Sequence, residues 1–348
     1  MAASPRELCE RLGTRYPIIQ DGMGPAPTTA LAVAVSTAGG LGTVSTPGIM
    51  TPGPEVRILL RERIEEVASQ ADGVFAVNVP VGTTADGSIL EATDACIMEA
   101  VAIKGEGGVT AEKLVAVTTS AGFAGDYTDR IKDAGLVHIH KVGSVKHAMK
   151  AARNGTDVII ASGYEAGGHT HLNPVHTMVL APQVIAALEI PVVVAGGIVD
   201  GRGLAGVLGM GGSGVSMGTR FIATFEHEWC EAYKQRIVDS PEWGDRVWPG
   251  VYAPCRGLDS QAIEDLKEVM RTRTEHEISM WKEERTIASQ IHGDLTGFIP
   301  AGQGAAAIHE LLTVSELIEG MVTEAQALLR SASEAASVIG ASVTTARS

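Results

Sequence analysis

Val192-Val193-Val194-Ala195-Gly196-Gly197-Ile198-Val199-Asp200-Gly201, with Val215-Ser216-Met217-Gly218-Thr219 downstream, decides the fold. In each stretch a short, almost wholly apolar, β-branched run stops at small residues. An apolar run without alternation predicts a strand covered on both faces, as in a parallel sheet. Working back toward the N-terminus, the same signature recurs at Tyr16 to Ile19, Leu41 to Val44, Val74 to Asn78, Leu114 to Thr118, Val137 to His140 and Asp157 to Ala161. Longer segments with helical spacing separate these runs. With Val192 to Ala195 and Val215 to Met217 that makes eight βα repeats, which predicts an α/β fold of the (β/α)8 TIM-barrel type. Beyond Thr219 the chain is more charged and carries all four tryptophans. Leu258 to Glu284 and Leu311 to Ser333 read as helices there, with no evident strand. The expected division is a barrel over 1–225 and a mainly helical C-terminal appendage over 226–348, with 293–304 returning to the barrel mouth.

Composition narrows the function. The chain has 348 residues, 45% of them hydrophobic, and a formal charge of −14 without a dense Lys/Arg stretch, so nucleic acid and anionic membranes are poor partners. No apolar run approaches the roughly 20 residues that span a bilayer. The four cysteines form neither a CxxC pair nor a compact framework, which fits a reducing, cytoplasmic setting. A small-molecule substrate is expected; for the assembly, a homodimer is kept as an option.

In such a barrel the reactive groups follow the C-terminal ends of the strands. Ala195-Gly196-Gly197 and Met217-Gly218-Thr219 end two successive strands in small residues whose amides can approach a ligand closely, the phosphate-binding pattern of this fold. Gly201 to Gly206 and Gly209 to Gly214 each satisfy G-x-G-x-x-G, but neither directly follows a strand and neither leads to a ribose-binding acid, so a dinucleotide turn is not expected. Ser162-Gly163-Tyr164-Glu165-Ala166-Gly167-Gly168-His169 offers a flexible wrap around a bound group with an imidazole suited to proton abstraction. His169, His171 and His176 also admit a reading as metal ligands, but no nearby Cys or acid other than Glu165 completes a set, and no metal is expected. Asn78 can donate and accept toward a heterocycle, and Gly22-Met23-Gly24 adds free amides and a polarizable side chain. His138 and His140 share a strand face and are read as structural or mouth-lining.

Together, Pro17 to Gly24, Gly163 to His169, Ala195 to Gly203 and Met217 to Phe221 resemble the nitronate monooxygenase family, formerly the 2-nitropropane dioxygenases. Pro300-Ala301-Gly302-Gln303-Gly304 is similar to that family's returning C-terminal segment. The resemblance implies an FMN-dependent oxidoreductase. Asp21, Gly22 and Met23 would face the isoalloxazine edge, Asn78 and Ser162 would approach the ring, and Gly167 and Gly168 with Gly196, Gly197, Ser216, Met217, Gly218 and Thr219 would hold the phosphate end. His169 matches the catalytic histidine that takes a proton from carbon while electrons pass to flavin and then to oxygen. The chain departs from the family's usual pattern in having Asp21-Gly22 before the methionine in place of Ala-Pro, and Ser162 in place of Gln. The substrate expected is a nitronate. The alternatives are flavin redox chemistry on an enoyl or acyl thioester with NAD(P)H or another electron partner, a flavin-free phosphate-binding barrel enzyme, and a non-catalytic flavin sensor.

Overall fold

The computed structural model describes residues 3–48, 51–82, 88–250 and 253–345, with side chains omitted at 126 and 337–345. Eight parallel strands form the barrel: β1 (Ile18–Gln20), β2 (Gly42–Ser45), β3 (Phe75–Val81), β4 (Leu114–Ala121), β5 (Val137–Val142), β6 (Val158–Ser162), β8 (Val192–Ala195) and β9 (Gly214–Met217). Their order, β1-β9-β8-β6-β5-β4-β3-β2, is closed by the Ile19–Leu41 bridge between β1 and β2. Each predicted run lies on one of these strands, with ends shifted by a few residues.

Side-chain alternation sorts the strands into two layers. Ile19, Leu41, Ala76, Ala116, Ile139, Val158, Ile160, Val193 and Ala195 pack inside the barrel, with Leu8 and Leu12 of helix Pro5–Leu12 in the same cluster. Ile18, Ile159, Val192, Val194, Val215 and Met217 pack outward against helices. His138 and His140 share the outward parity of Val142, so they line the space beneath the helices and not the mouth. The Thr119 hydroxyl sits between them, 2.8 Å from His138 Nε2 and 2.7 Å from His140 Nδ1. A hydroxyl has one proton, so it donates to one ring and accepts from the other.

The region after Thr219 differs from expectation. It contributes β10 (Asp245–Trp248), β11 (Cys255–Leu258) and β12 (Ile299–Pro300) to an antiparallel sheet joined by β7 (Gly168–His169) of the barrel's own loop. Cys255-Arg256-Gly257-Leu258 has little β-branched content, and its partners are remote in sequence, so no local signal marks it. The expected helix from Leu258 to Glu284 is two helices, Gln261–Thr272 and Glu275–His292. Thr274 separates them by forming a reciprocal capping box with Glu277. Helix Val314–Thr345 buries Leu317, Ile318, Met321 and Ala325 against the outer barrel layer.

Gly201 serves that packing, while Gly203 lies against Ile198. The Asp200 side chain caps helix Gly201–Gly209 by accepting from Gly203 N at 3.0 Å, and a Cβ on Gly201 would lie 2.5 Å from the Met321 carbonyl oxygen. The first glycine-rich motif is therefore a close helix–helix contact.

Candidate functional site

The inward positions at the C-terminal ends of the strands are polar. Register places Ser45 beside Asn78 and Asn78 beside Thr118 on one side of the mouth, and Ser162 beside Ala195 and Ala195 beside Ser216 on the other. Thr118 Oγ1 and Ser216 Oγ are buried without a hydrogen-bond partner, an arrangement that costs free energy unless a bound group supplies one. Lys141, inward on β5, reaches across to Asp21 with Nζ 2.5 Å from Oδ2. Neither the lysine nor this pairing was anticipated from sequence.

The loop after β1 lies against this rim. A Cβ on Gly22 would fall within 2.1 Å of the Asn78 side chain, so only glycine lets the two meet. Met23 N donates to Ser45 Oγ at 2.9 Å, and the Met23 sulfur would be 3.5 Å from a Cβ on Gly218. Gln290, fully buried on helix Glu275–His292, brackets the same loop by donating to the Gly24 carbonyl (3.0 Å) and accepting from Ala26 N (3.2 Å).

Gly196 and Gly197 have φ of +102° and +75°, a backbone conformation in which a side chain would be strained. Gly163 N donates to the Ala195 carbonyl, Thr177 Oγ1 lies 2.9 Å from the Gly196 carbonyl oxygen, and a Cβ on Gly197 would sit 3.6 Å from Glu165. Ser216 faces inward at the end of β9, whereas the Met217 side chain turns outward into the helix layer and offers the site only its backbone. Thr219 Oγ1 accepts from Gly302 N at 2.9 Å, and a Cβ on Gly167 would meet the Ala301 carbonyl carbon at 2.4 Å. Residues 300–304 thus lie on the glycine loops at the mouth.

The Gly163–His169 loop is held from three directions. Glu165 accepts from Thr177 N (3.0 Å) and Thr177 Oγ1 (2.7 Å) at the start of helix Thr177–Ala187 and lies 3.3 Å from His176 Nδ1. Burial pushes its carboxyl up, but these hydrogen bonds and His176 outweigh it, and the net shift is downward. Gln303 N donates to the Glu165 carbonyl at 2.9 Å. Arg256, buried on β11 and ion-paired with Asp245, donates from Nε to the Tyr164 carbonyl at 3.0 Å and stacks 4.5 Å from the Tyr164 ring centroid.

His169 ends this loop on β7, directly across from Cys255. Its side chain is open to solvent while Cys255 is buried. The neighbouring thiol and its hydrogen bond raise the imidazole above its ordinary value, outweighing desolvation and the repulsion of Lys282 and Lys141. His171 lies over Gly143, pushed down to about 4 first by desolvation and then by Lys141 and His147, while His176 serves Glu165 and packs edge-on against Tyr164. The three imidazoles have separate partners, and no group of three metal-ligating side chains converges among the described residues.

The sequence-predicted residues Asp21, Gly22, Met23, Asn78, Ser162, Gly167, Gly168, His169, Gly196, Gly197, Ser216, Gly218 and Thr219 therefore gather at one end of the barrel. Sequence reasoning missed Lys141, Arg256, Cys255 and Gln290, which carry no motif and reach the site only through long-range pairing.

A family profile described as "Nitronate monooxygenase" matches residues 6–324. The chain is 34% identical over 270 residues to the (3aS,4S,5R,7aS)-5-hydroxy-7a-methyl-1-oxo-octahydro-1H-indene-4-carboxyl-CoA dehydrogenase of Mycobacterium tuberculosis, covering 76% of this chain and 69% of that protein. It is 30% identical over 290 residues to a probable nitronate monooxygenase of Staphylococcus aureus, covering 75% and 80%. The solved structure of FabK from Thermotoga maritima superposes with a TM-score of 0.82 at 28% identity, over 96% of this chain and 99% of that one. A polar-rimmed barrel mouth with a histidine loop over two glycine turns, matched along nearly its whole length, makes this chain a member of the nitronate monooxygenase family.

Proposed function

We propose that the chain is an FMN-dependent oxidoreductase in which His169 removes the α-proton from the carbon of a nitroalkane, leaving the nitronate that is then oxidised, with oxygen as the final electron acceptor. The observation that carries the reading is the placement of one solvent-open, proton-attracting imidazole beside a rim of inward polar groups, two of which, Thr118 Oγ1 and Ser216 Oγ, are buried and unpartnered. Orphaned hydroxyls and left-handed glycines are what a phosphate-tailed ligand with hydrogen-bonding edges would satisfy, so the residues present fit FMN. Gly196, Gly197, Ser216, Gly218 and Thr219 would hold the phosphate end. Asp21, Gly22, Met23, Asn78 and Ser162 would hold the ring, and Lys141 adds a cation at the same rim.

When bound, the flavin supplies an acceptor for the electron pair leaving carbon. The chain's own contribution is positioning and proton transfer. Glu165, Arg256 and Gln303 fix the histidine loop before substrate arrives, and a preset base loses less entropy at the moment of reaction. His169 takes the proton at a ring nitrogen, and Asp21 neutralises Lys141 until a ligand competes for it.

A second reading, redox chemistry beside an acyl thioester carbonyl, is favoured by the relative named as a carboxyl-CoA dehydrogenase. Proton removal next to an electron-withdrawing group is common to both. Four free thiols support a cytoplasmic location, and among the described residues no helix is long and apolar enough to cross a membrane.

The test is to reconstitute the purified protein with excess FMN, measure bound flavin, and mix it anaerobically with nitronates, saturated acyl-CoAs and NAD(P)H in turn. Stoichiometric FMN and bleaching by a nitronate are expected. Bleaching only by acyl-CoA, or by NAD(P)H followed by enoyl-thioester turnover, would transfer the assignment to thioesters, and failure to retain FMN would overturn it.

A further inference from the structure

We propose that Cys255 is a positioning residue for His169, holding the imidazole from behind so that one ring nitrogen is committed to the sulfur and the other is left to the substrate. The proposal deepens the reading of His169 as the base, and its decisive test does not depend on that reading.

The geometry begins with the backbone. β7 and β11 are antiparallel, with Cys255 opposite His169 and Arg256 opposite Gly168. Directly opposite residues in such a pair project on the same face with Cβ atoms about 5 Å apart. Thr170 N donates to the Pro254 carbonyl at 2.7 Å, so the ladder is tied just beyond the pair and the two side chains cannot slip apart. The exposure is asymmetric: Cys255 is 6% exposed and the His169 side chain is open. Cys255 therefore lies on the more buried side of the pair. Lys282 Nζ lies 4.0 Å from the Cys255 sulfur, a third member of the cluster that favours negative charge there.

Lys282 and Lys141 oppose a positive His169, and Lys141 is paired with Asp21. Arg256 is paired with Asp245, and Glu165 with Thr177 and His176. Burial pushes the Cys255 thiol up, but His169 and then Lys282 outweigh it and the net shift is downward, while His169 shifts upward. Both directions describe one event, stabilisation of a proton on nitrogen against negative charge on sulfur.

In the base-ready state the imidazole N–H is donated to sulfur and the second nitrogen keeps its lone pair. The substrate C–H bond then breaks, an N–H bond forms on that nitrogen, and the electron pair stays with the carbon. No redox change occurs at Cys255. Its part is to fix the tautomer and offset the imidazolium charge, as a carboxylate does behind many catalytic histidines.

The test compares wild type, His169→Ala, Cys255→Ser and Cys255→Ala as full-length protein. Thiolate ultraviolet absorbance against pH, taken as wild type minus Cys255→Ser, should titrate below an ordinary thiol and move up by about one pH unit or more in His169→Ala. In histidine proton NMR, the His169 resonance should titrate at lower pH in both Cys255 variants. With active enzyme, the acidic limb of kcat/KM, which reports loss of the proton from His169, should move to lower pH in Cys255→Ala with KM little changed. Cys255→Ser should recover part of kcat through its hydrogen bond. Coincident Cys255 titrations with and without His169, together with an unmoved His169 resonance in the Cys255 variants, would overturn the proposal even if the substrate assignment proved wrong.

Discussion

His169 owes its proposed chemistry to its neighbours. An ordinary imidazole has a pKa near 6.5 and exchanges freely between its two tautomers. Here it is held at the end of a loop anchored by Glu165, Arg256 and Gln303 and stands across from Cys255. His169→Ala is expected to keep bound FMN while lowering turnover by about 10²-fold or more, the usual cost of losing a general base. Steady-state rates with flavin content measured on the same sample check it, and undiminished turnover would show that the proton goes elsewhere. Gly218 gives the complementary result. A Cβ there meets Met23 Sδ at 3.5 Å and the Asp21 Cβ at 3.9 Å, ordinary contact, so a longer side chain would extend from that point beside the loop proposed to face the ring. Gly218→Leu should lower FMN content with circular dichroism unchanged, read by flavin release on denaturation.

At the scale of elements, three buried imidazoles set the acid limit of the fold. Desolvation pushes His138 down to about 3, His140 to about 4 and His227 to about 3, each helped by positive charge nearby, while Asp157 partly opposes the shift of His138 and the Thr119 contact that of His140. All three have folded values below their unfolded value near 6.5, so the unfolded chain binds more protons below that pH and stability falls with acidification. By pH 5 each contributes a loss of about 2 kcal/mol. Urea midpoints should therefore drop steeply between pH 7 and pH 5. His171, also pushed down to about 4, adds to the slope in the same sense, so substituting His227, which lies apart from the His138–His140 pair, by Gln should flatten it by about a quarter, and a midpoint independent of pH in this range would refute the account. The same scale explains the errors of sequence reading. His138 and His140 have the alternation of a strand, but which face is inward depends on closure of the barrel. Cys255 to Leu258 forms a strand only because Gly168–His169 and Ile299–Pro300 come to it.

At the scale of the molecule, the C-terminal region and the barrel share their cores. Trp229, Tyr233, Leu258, Ile299 and Ala301 pack with Ala26, Ile222 and Ala223, and Tyr233 Oη donates to the Pro300 carbonyl at 2.8 Å. Helix Val314–Thr345 covers the outside of the barrel through Leu317, Ile318 and Met321, which share a cluster with Ile18, Leu31, Val35 and Leu204. Ile318 is fully buried, and Ile318→Ala should cost about 2–5 kcal/mol. The cost should appear as one cooperative transition at lower temperature in both far-ultraviolet and tryptophan signals. An early tryptophan-only transition would mean that the C-terminal region unfolds by itself.

What the sequence by itself determined is local and repetitive. Eight apolar runs with helical spacers specify βα units buried on both sheet faces, and their number favours a closed barrel over an open sheet. Glycines that end strands mark where backbone can approach a ligand, and the loop after β6 offers His169 as a candidate without fixing its role. The tertiary structure decided what depends on pairing between distant residues: Lys141 across from Asp21, Arg256 beneath Tyr164, Gln290 on the Gly24 loop and Cys255 behind His169. Hydrophobic periodicity is a property of neighbouring positions and survives in the sequence. A hydrogen bond between remote strands belongs to the closed chain and leaves no local pattern to read.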